Sequence, residues 1–209
     1  MINIETITVG MFGTNCYLVS SAATGEAVII DPGADAKKII SRVEQKGLII
    51  RSIVNTHGHI DHIGANGKIK QEYGVPIFLS DKDLALYKNP GYGLGLVIKK
   101  QPEPDCFISE GDRIECGDQV LKVIETPGHT EGSISLVGSG LVFCGDTLFA
   151  GSVGRTDLAG GSFSKLISSI NDKLISLPPE TVVYCGHGPA TTIGEEARFN
   201  PFINGNQIS

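Results

Sequence analysis

The sequence lacks three features that would place the protein in a membrane or outside the cell. No apolar run approaches the roughly 20 residues that a membrane-spanning helix requires, so we expect no membrane partner. The first residues, Met-Ile-Asn-Ile-Glu, show no basic segment followed by an apolar one, so we expect no secretory signal peptide. The five cysteines are odd in number and form no Cys-x-x-Cys pair. We therefore expect free thiols and a cytoplasmic protein.

The sequence also lacks an excess of basic residues. Its 17 Lys and Arg residues are outnumbered by 23 Asp and Glu residues, which gives a formal net charge of −6. A protein that binds the phosphate backbone of a nucleic acid needs the opposite sign, so we expect no nucleic-acid partner. Glycine, in contrast, is abundant, with 27 residues among 209. Many glycines indicate tight turns and backbone that closely approaches another group.

The spacing of apolar residues predicts one α/β domain that covers residues 1–209. Strands are predicted at 2–9, 16–20, 27–30, 49–55, 120–125, 133–137, 141–144 and 181–185. Helices are predicted at 35–46, from the end of the 57–62 loop to about Tyr73, and at 164–177. Strands in series with flanking helices indicate two packed sheets with helices outside them. Residues 89–104 are predicted to form a long loop, of a length that is often functional.

The histidines follow predicted strands and lie in glycine-rich turns. They are His57, His59, His62, His129 and His187. Side chains two residues apart in an extended loop point the same way, so His57 and His59 can reach one metal ion. Asp61 and His62 are displaced sideways at the start of the next helix and can reach a second ion. Imidazole and carboxylate ligands together favour zinc, iron or manganese over magnesium or calcium.

Asp146 follows the apolar run Leu141-Val142-Phe143-Cys144-Gly145, which is predicted to be a buried strand. A carboxylate in such a place is costly unless it is paired or bound to a metal. Two interpretations remain open at this point. Asp146 is either a cap on the following turn or a ligand whose two oxygens bridge two metal ions.

These motifs, taken in order, resemble the metallo-β-lactamase superfamily over nearly the whole chain. The resemblance rests on His57-x-His59-x-Asp61-His62, His129, Asp146 and His187. It implies a four-layer αββα sandwich with the metals at one edge of the sheets. It assigns the first metal to His57, His59 and His129, the second to Asp61, His62 and His187, and a bridge to Asp146. The expected cofactors are two divalent transition metals, zinc in the first place, with iron or manganese as alternatives.

The expected chemistry is hydrolysis by a hydroxide generated at a dinuclear site. Two divalent cations outweigh the negative charge of Asp61, Asp146 and a hydroxide, and the remaining positive charge can stabilise an oxyanion. Asp61 and Asp146 are thus the expected catalytic carboxylates, and no separate general base is required. We identify no general acid in the sequence. The lack of a general acid favours a leaving group that departs as an anion, such as the thiolate of a thiol with a pKa of about 8.5. A thioester substrate has such a leaving group.

Within the superfamily the chain resembles hydroxyacylglutathione hydrolases, also called glyoxalase II, in a short form without their C-terminal helical domain. The similarity is carried by residues 127–130, 145–149 and 186–188. It implies a small-molecule substrate, an S-acyl or hydroxyacyl glutathione or a similar thiol ester. It also places Arg155 against the carboxylates of glutathione. The alternative role of Arg155 is an ion pair with Asp157 that holds the loop in place. Asp146 and the expected lack of an export signal argue against a true β-lactamase.

Other functions remain open on this fold. The segment Gly154-Arg155-Thr156-Asp157 resembles the persulfide dioxygenase branch, in which positions matching His57, His129 and Asp146 hold one iron. A lactone or phosphodiester hydrolase, or a nuclease, is a further alternative, although the acidic balance disfavours the nuclease. A sensor that binds metals without catalysing a reaction is another alternative. The complete set of seven ligands argues against it, because such a sensor does not need all of them. The sequence does not indicate an oligomeric state.

Overall fold

The structure is a computed structural model that describes residues 1–89 and 100–203. The strands are β1 (Ile2–Val9), β2 (Thr14–Ser21), β3 (Glu26–Ile30), β4 (Ile49–Val54), β5 (Ile77–Leu79), β6 (Cys106–Phe107), β7 (Arg113–Cys116), β8 (Gln119–Glu125), β9 (Ile134–Gly138), β10 (Leu141–Gly145), β11 (Leu148–Phe149), β12 (Ser152–Val153), β13 (Val182–Cys185) and β14 (Thr191–Thr192). The helices are α1 (Ala36–Lys46), α2 (Ile60–Ile63), α3 (Asn66–Tyr73), α4 (Leu84–Lys88), α5 (Phe163–Ser169) and α6 (Ile193–Phe199). Most of the loop predicted over 89–104 lies outside the described residues.

Two mixed sheets form the centre of the molecule. The first has the strand order β1-β2-β3-β4-β5-β6, and the second has the order β14-β13-β10-β9-β8-β7. The strands β3, β4, β5 and β6 pair in parallel, as do β10 and β13, while the remaining pairs in these two sheets are antiparallel. The strands β11 and β12 form a separate hairpin. Parallel strands place their carboxyl ends at one edge of each sheet, where loops can meet.

Strand β3 shows how the first sheet divides two apolar layers. Ala27 and Ile29 pack with Ile39 of α1 in an outer core. The intervening Val28 and Ile30 face the other way and join a core that lies between the sheets. Because successive side chains in a strand point to opposite faces, one continuous apolar run supplies both cores.

Strand β10 shows how the second sheet also divides two apolar layers. Phe143 joins the core between the sheets, whereas Val142 and Cys144 pack outward against Leu166 and Ile170 of the α5 region. The order of layers is therefore helix, sheet, sheet, helix. This confirms the four-layer αββα sandwich predicted from the sequence.

Several boundaries differ from the prediction. The helix expected to reach Tyr73 is two helices, α2 and α3, because the amide of Ala65 donates to the carbonyl of Pro32 instead of to a helical partner. The helix expected over 164–177 is α5, which continues as a π-helical turn over Ile170–Leu174. Short strands such as β6 and β14 have two residues each, too few for a periodic pattern.

All five cysteines are free thiols in the structure. Within residues 1–89 and 100–203, no helix combines the length and apolar character that crossing a bilayer requires. The cytoplasmic location and the assignment of residues 1–209 to one domain stay predictions.

Candidate metal centre

The seven side chains proposed as metal ligands all follow the carboxyl ends of strands. His57, His59, Asp61 and His62 follow β4, while His129, Asp146 and His187 follow β8, β10 and β13. The strands β8, β10 and β13 run in the same direction, because β9 is antiparallel to both β8 and β10 and because β13 is parallel to β10. Their final loops consequently meet at one edge of the second sheet, and the loop after β4 meets them from the first sheet.

One group of candidate ligands combines His57, His59 and His129. One ring nitrogen from each lies within 4.8 Å of the others. Nδ1 of His59 is 2.9 Å from Nε2 of His129, so these two atoms face the same space. Two strands of different sheets thus supply one three-histidine cluster, which we call the first group.

A second group combines Asp61, His62 and His187, again with ligand atoms within 4.8 Å of one another. Oδ2 of Asp61 is 3.2 Å from Nε2 of His187 and 3.6 Å from Nε2 of His62. The hydroxyl of Thr14 donates a hydrogen bond of 3.1 Å to the same oxygen. We call this cluster the second group.

Asp146 lies between the two groups. Its Oδ1 is 3.4 Å from Nε2 of His62, and its Oδ2 is 3.6 Å from Nε2 of His129 and 3.6 Å from Nε2 of His187. One carboxylate oxygen therefore approaches both groups. This placement suits a bridging ligand, and the bridging role stays a prediction.

Three buried atoms at the centre have no hydrogen-bond partner among the residues that the structure describes. They are Nε2 of His57, Nε2 of His62 and Oδ1 of Asp146. Buried polar atoms without a partner are rare and costly in folded proteins. Imidazole nitrogens and carboxylate oxygens that converge in this way fit transition metals such as zinc, iron or manganese. The residues present therefore fit the two-metal centre expected from the sequence.

Hydrogen bonds at the opposite ring nitrogens set the orientation of three histidines. Nδ1 of His129 donates to the carbonyl of Arg155 at 2.8 Å, and Nδ1 of His187 lies 3.2 Å from the carbonyl of Phe12. Because a carbonyl only accepts, each of these bonds places the proton on Nδ1 and leaves Nε2 free to bind a metal. Nδ1 of His62 contacts Oδ2 of Asp31 at 2.9 Å, with the same consequence.

Asp31 is a part of this centre that was not predicted from the sequence. Asp31 is 1% exposed and accepts hydrogen bonds from the amide and the hydroxyl of Thr56, at 2.8 and 2.6 Å. Its backbone φ of 50° is in the left-handed region, where aspartate is one of the few tolerated non-glycine residues. The available signal was its position directly after the apolar run of β3, which is the same signal that identified Asp146.

The electrostatics differ between the two groups. Burial and the neighbouring histidines lower the pKa of His57 well below its ordinary value and that of His59 to about 4. Burial alone would also lower the pKa of His62, but the carboxylates of Asp146 and Asp31 raise it well above its ordinary value. The hydrogen bond to Asp61 is the main cause that raises the pKa of His187. Protons therefore compete with a metal more strongly at the second group.

We expect the second group to release its metal at a higher pH than the first group does. A histidine binds a metal only when it is neutral, so affinity falls once the pH drops below the pKa of the ligand. Because the pKa values of His62 and His187 are raised, this loss begins at a higher pH for the second group, whereas His59, with a pKa of about 4, stays neutral in mild acid. Metal content measured after equilibration between about pH 8 and pH 5 should fall in two steps. Simultaneous loss of both metals would contradict this order.

A cavity of about 450 Å³ opens beside the two groups. Its polar lining consists mainly of candidate ligands, among them His59, Asp61 and Asp146. The apolar lining consists of Phe12, Ile60, Phe149, Val153 and Leu158. A substrate can thus place a polar reacting group at the ligands and an apolar portion against these side chains.

The β11–β12 hairpin, which supplies part of the cavity wall, is tied to α6 by two buried side chains. The carboxylate of Glu196 accepts a hydrogen bond of 2.9 Å from the amide of Gly151. Nδ2 of Asn200 donates to the carbonyl of Ser152 at 3.0 Å and to Glu196 at 2.7 Å. The wall is therefore supported from the C-terminal side by contacts that the sequence analysis did not anticipate.

Arg155 forms the pair with Asp157 that the sequence offered as one interpretation, and its contact with a substrate carboxylate stays a prediction. It lines the cavity, and its guanidinium also donates to Asp157 through Nε at 2.7 Å and through Nη2 at 2.6 Å. This bidentate pair is exposed, and its hydrogen bonds lower the pKa of Asp157 to about 2. A substrate carboxylate that binds Arg155 would have to displace the carboxylate of Asp157 from the guanidinium.

Comparisons with known proteins agree with this geometry. A family model described as Metallo-beta-lactamase superfamily matches residues 9–187, a range that contains all seven candidate ligands. Hydroxyacylglutathione hydrolase GloC of Haemophilus influenzae is 39% identical over 210 residues, which cover 97% of this chain and 98% of that protein.

Two solved structures extend the comparison to three dimensions. The crystal structure of BLEG-1 B3 metallo-beta-lactamase matches with a TM-score of 0.92 and 35% identity, and the match covers 97% of this chain and 100% of that one. The crystal structure of TTHA1623 in a di-iron-bound form matches with a TM-score of 0.87 and 40% identity, with coverage of 95% and 99%. These matches confirm the fold expected from the sequence.

Proposed function

The chain belongs to the metallo-beta-lactamase superfamily, and from this membership and the geometry of the metal centre we propose that it hydrolyses thiol esters. Its assignment as a metallo-hydrolase of this superfamily rests on the family match. We propose that the substrate is an S-acyl or hydroxyacyl glutathione, or a similar small-molecule thiol ester. We propose no nucleic-acid or membrane partner.

One observation carries the proposal. Seven imidazole and carboxylate side chains from two sheets converge, and three of their buried atoms have no hydrogen-bond partner within the described part of the chain. Bound divalent ions would supply the Lewis acidity that lowers the pKa of a water molecule and polarises a carbonyl group. We propose the first group and the second group as the two sites and Asp146 as the residue that holds them together.

The cavity supports a thioester rather than an amide. Among the described residues that line it, Arg155 is the only ionisable side chain outside the seven candidate ligands. An arginine does not release its proton at neutral pH, so it cannot serve as a general acid. A thiolate departs without protonation because its conjugate acid has a pKa of about 8.5, whereas an amine leaving group needs a proton.

The test is a matched set of substrates that share one acyl group and differ only in the bond to be cleaved. For the metal-loaded protein we expect kcat/KM for the thioester to exceed that for the oxygen ester and the amide by at least about a hundredfold, or about 2.7 kcal/mol. Metal content measured on the same sample should approach two ions per chain. A preference for the amide, or for a lactone or phosphodiester included beside it, would overturn the proposal.

Substitution of Arg155 by alanine tests whether the carrier is glutathione. We expect KM for a glutathione thioester to rise about tenfold with little change in kcat, because one charge-assisted contact to a substrate carboxylate is lost. An N-acetylcysteamine thioester has no carboxylate and should show no change. The exposed Arg113→Ala variant is the control for loss of a positive charge. Equal increases of KM for both carriers would mean that Arg155 acts through its loop rather than on a carboxylate.

Two alternatives give different outcomes in the same assays. The likeness to BLEG-1, named a B3 metallo-beta-lactamase, favours a β-lactam as the second candidate substrate. The segment Gly154-Arg155-Thr156-Asp157 favours a persulfide dioxygenase. Efficient turnover of a β-lactam in preference to the thioester would select the first alternative. A single iron per chain together with oxygen uptake on glutathione persulfide would select the second.

A further inference from the structure

Asp83 is a buried carboxylate that lies outside the set of candidate ligands. It closes the 3-10 turn Asp81–Asp83 just before α4 and is 2% exposed. Its Oδ2 accepts hydrogen bonds of 2.8 Å from the amide of Gly58 and of 2.8 Å from the hydroxyl of Thr130. Its Oδ1 accepts a hydrogen bond of 2.7 Å from the amide of Gly132. Three donors therefore compensate the burial of this carboxylate.

The three donors belong to the two loops that carry the first group. Gly58 lies between His57 and His59 in the loop after β4, and Thr130 follows His129 in the loop after β8. These loops come from different sheets. Because one carboxylate binds both, it sets the separation between the histidines that the two loops supply.

The packing around Asp83 leaves little freedom for either loop. A Cβ atom at Gly132 would lie 2.7 Å from the carboxyl carbon of Asp83, and one at Gly58 would lie 3.1 Å from its backbone carbonyl oxygen. Glycine at both positions permits the backbone to approach the carboxylate directly. Asp83 therefore packs between the two loops and contacts both of them.

The second group has other supports. Thr14 binds Asp61, Asp31 contacts His62, and the carbonyl of Phe12 lies beside Nδ1 of His187. None of these contacts involves Asp83. Loss of Asp83 is therefore expected to disturb one group and to leave the other largely intact.

We propose that Asp83 is a positioning residue for the first group, which fixes the distance between the His57–His59 loop and His129 and thereby the affinity of that group for its metal. The inference rests on the proposed function, because it assumes that metals occupy this centre. Residues that orient metal ligands without touching the metal typically contribute 10- to 100-fold to metal affinity. This is the size of effect that we expect of Asp83.

The test uses full-length chains in which one group is disabled. The variant His187→Ala retains the first group, and the variant His59→Ala retains the second. Zinc affinity is measured in each by competition with a chromophoric chelator, with and without Asp83→Asn. Asparagine keeps the size of the side chain, but its amide nitrogen must face one of the three donors. We expect the Kd for zinc to rise 10- to 100-fold in the first-group chain and less than about threefold in the second-group chain.

Asp81→Asn is the matched control, since it removes the same charge from an exposed position two residues away. It should leave both zinc affinities unchanged. Replacing zinc by cobalt adds a spectroscopic readout, because the visible absorption of the first-group chain should change with Asp83→Asn and not with Asp81→Asn. Equal weakening of both chains would show a general structural role, and no weakening in either would show no role; each result overturns the inference. Failure of both parent chains to bind zinc would instead overturn the metal centre itself.

A second pair of variants covers the case in which Asp83→Asn does not fold. Thr130→Val removes the hydrogen bond to Asp83, together with the 2.7 Å hydrogen bond to the hydroxyl of Ser133, at nearly constant volume. Thr130→Ser retains the hydroxyl. We expect Thr130→Val to raise the zinc Kd of the first-group chain by several-fold and Thr130→Ser to restore it. The same Kd for the valine and serine variants would overturn the inference.

Discussion

Replacing Asp146 by asparagine is expected to abolish thiol ester hydrolysis and to lower the metal content of the protein. The side chain keeps its size but loses the negative charge that faces His62, His129 and His187 at 3.4 to 3.6 Å. One of its oxygens also becomes an amide nitrogen, which cannot bind a cation. We expect kcat/KM to fall by more than about a thousandfold, or about 4 kcal/mol of transition-state stabilisation.

The measurement combines steady-state kinetics with metal analysis of the same sample. Asp172→Asn is the matched control, because it makes the same substitution at an exposed position of the π-helical turn after α5. It should leave both activity and metal content unchanged. If Asp146→Asn retained two metals and full activity, the carboxylate would not be a bridge, and the cap interpretation would replace it.

Replacing Gly33 by alanine is expected to destabilise the protein and to displace the second group. A Cβ atom at this position would lie 1.4 Å from the carbonyl oxygen of Asp61, and one at Gly64 would lie 2.3 Å from the carbonyl oxygen of Gly33. The loop after β3 and helix α2 are therefore in direct backbone contact. A methyl group at Gly33 must push α2 away, which moves Asp61 and His62. Overpacking of this kind costs about 3 kcal/mol.

Urea unfolding and metal analysis together test this expectation. We expect the free energy of unfolding to fall by about 3 kcal/mol and one metal per chain to be lost. Gly67→Ala serves as the control in α3, where the nearest atoms to an added Cβ are a proline ring carbon at 3.2 Å and a side-chain oxygen at 3.4 Å. Alanine is also favoured over glycine in a helix by about 1 kcal/mol. Wild-type stability and two metals in Gly33→Ala would show that α2 adapts freely.

The sequence was a good guide where one side chain or one periodic run carried the signal. The apolar run of β3 supplies two cores because its alternate residues face opposite layers. The two-sheet prediction came from strands in series with flanking helices. His57 and His59 indicated one metal because residues two apart in an extended loop point the same way. Asp61 and His62 indicated a second metal because they are displaced at the start of the next helix. All seven candidate ligands lie together at one edge, although their roles as ligands stay predictions.

The sequence was a poor guide where a residue acts through partners far along the chain. Asp31 contacts His62, 31 residues away, and Asp83 binds Thr130, 47 residues away. No pattern among neighbouring residues in the sequence indicates such contacts. Asp83 lies in a charged segment, Asp81-Lys82-Asp83, and the sequence does not show which aspartate is buried.

The sequence by itself determined the two-sheet architecture and the set of side chains suited to hold metals, and the resemblance of its motifs to a known superfamily indicated the fold family. Its information is local, because periodicity and loop motifs depend on residues close together in the chain. Only the tertiary structure decided how far apart the ligands lie, which ring nitrogen each histidine presents, and which carboxylates support them. Those properties depend on the packing of two sheets against each other, since the loops that meet at the metal centre come from strands on both.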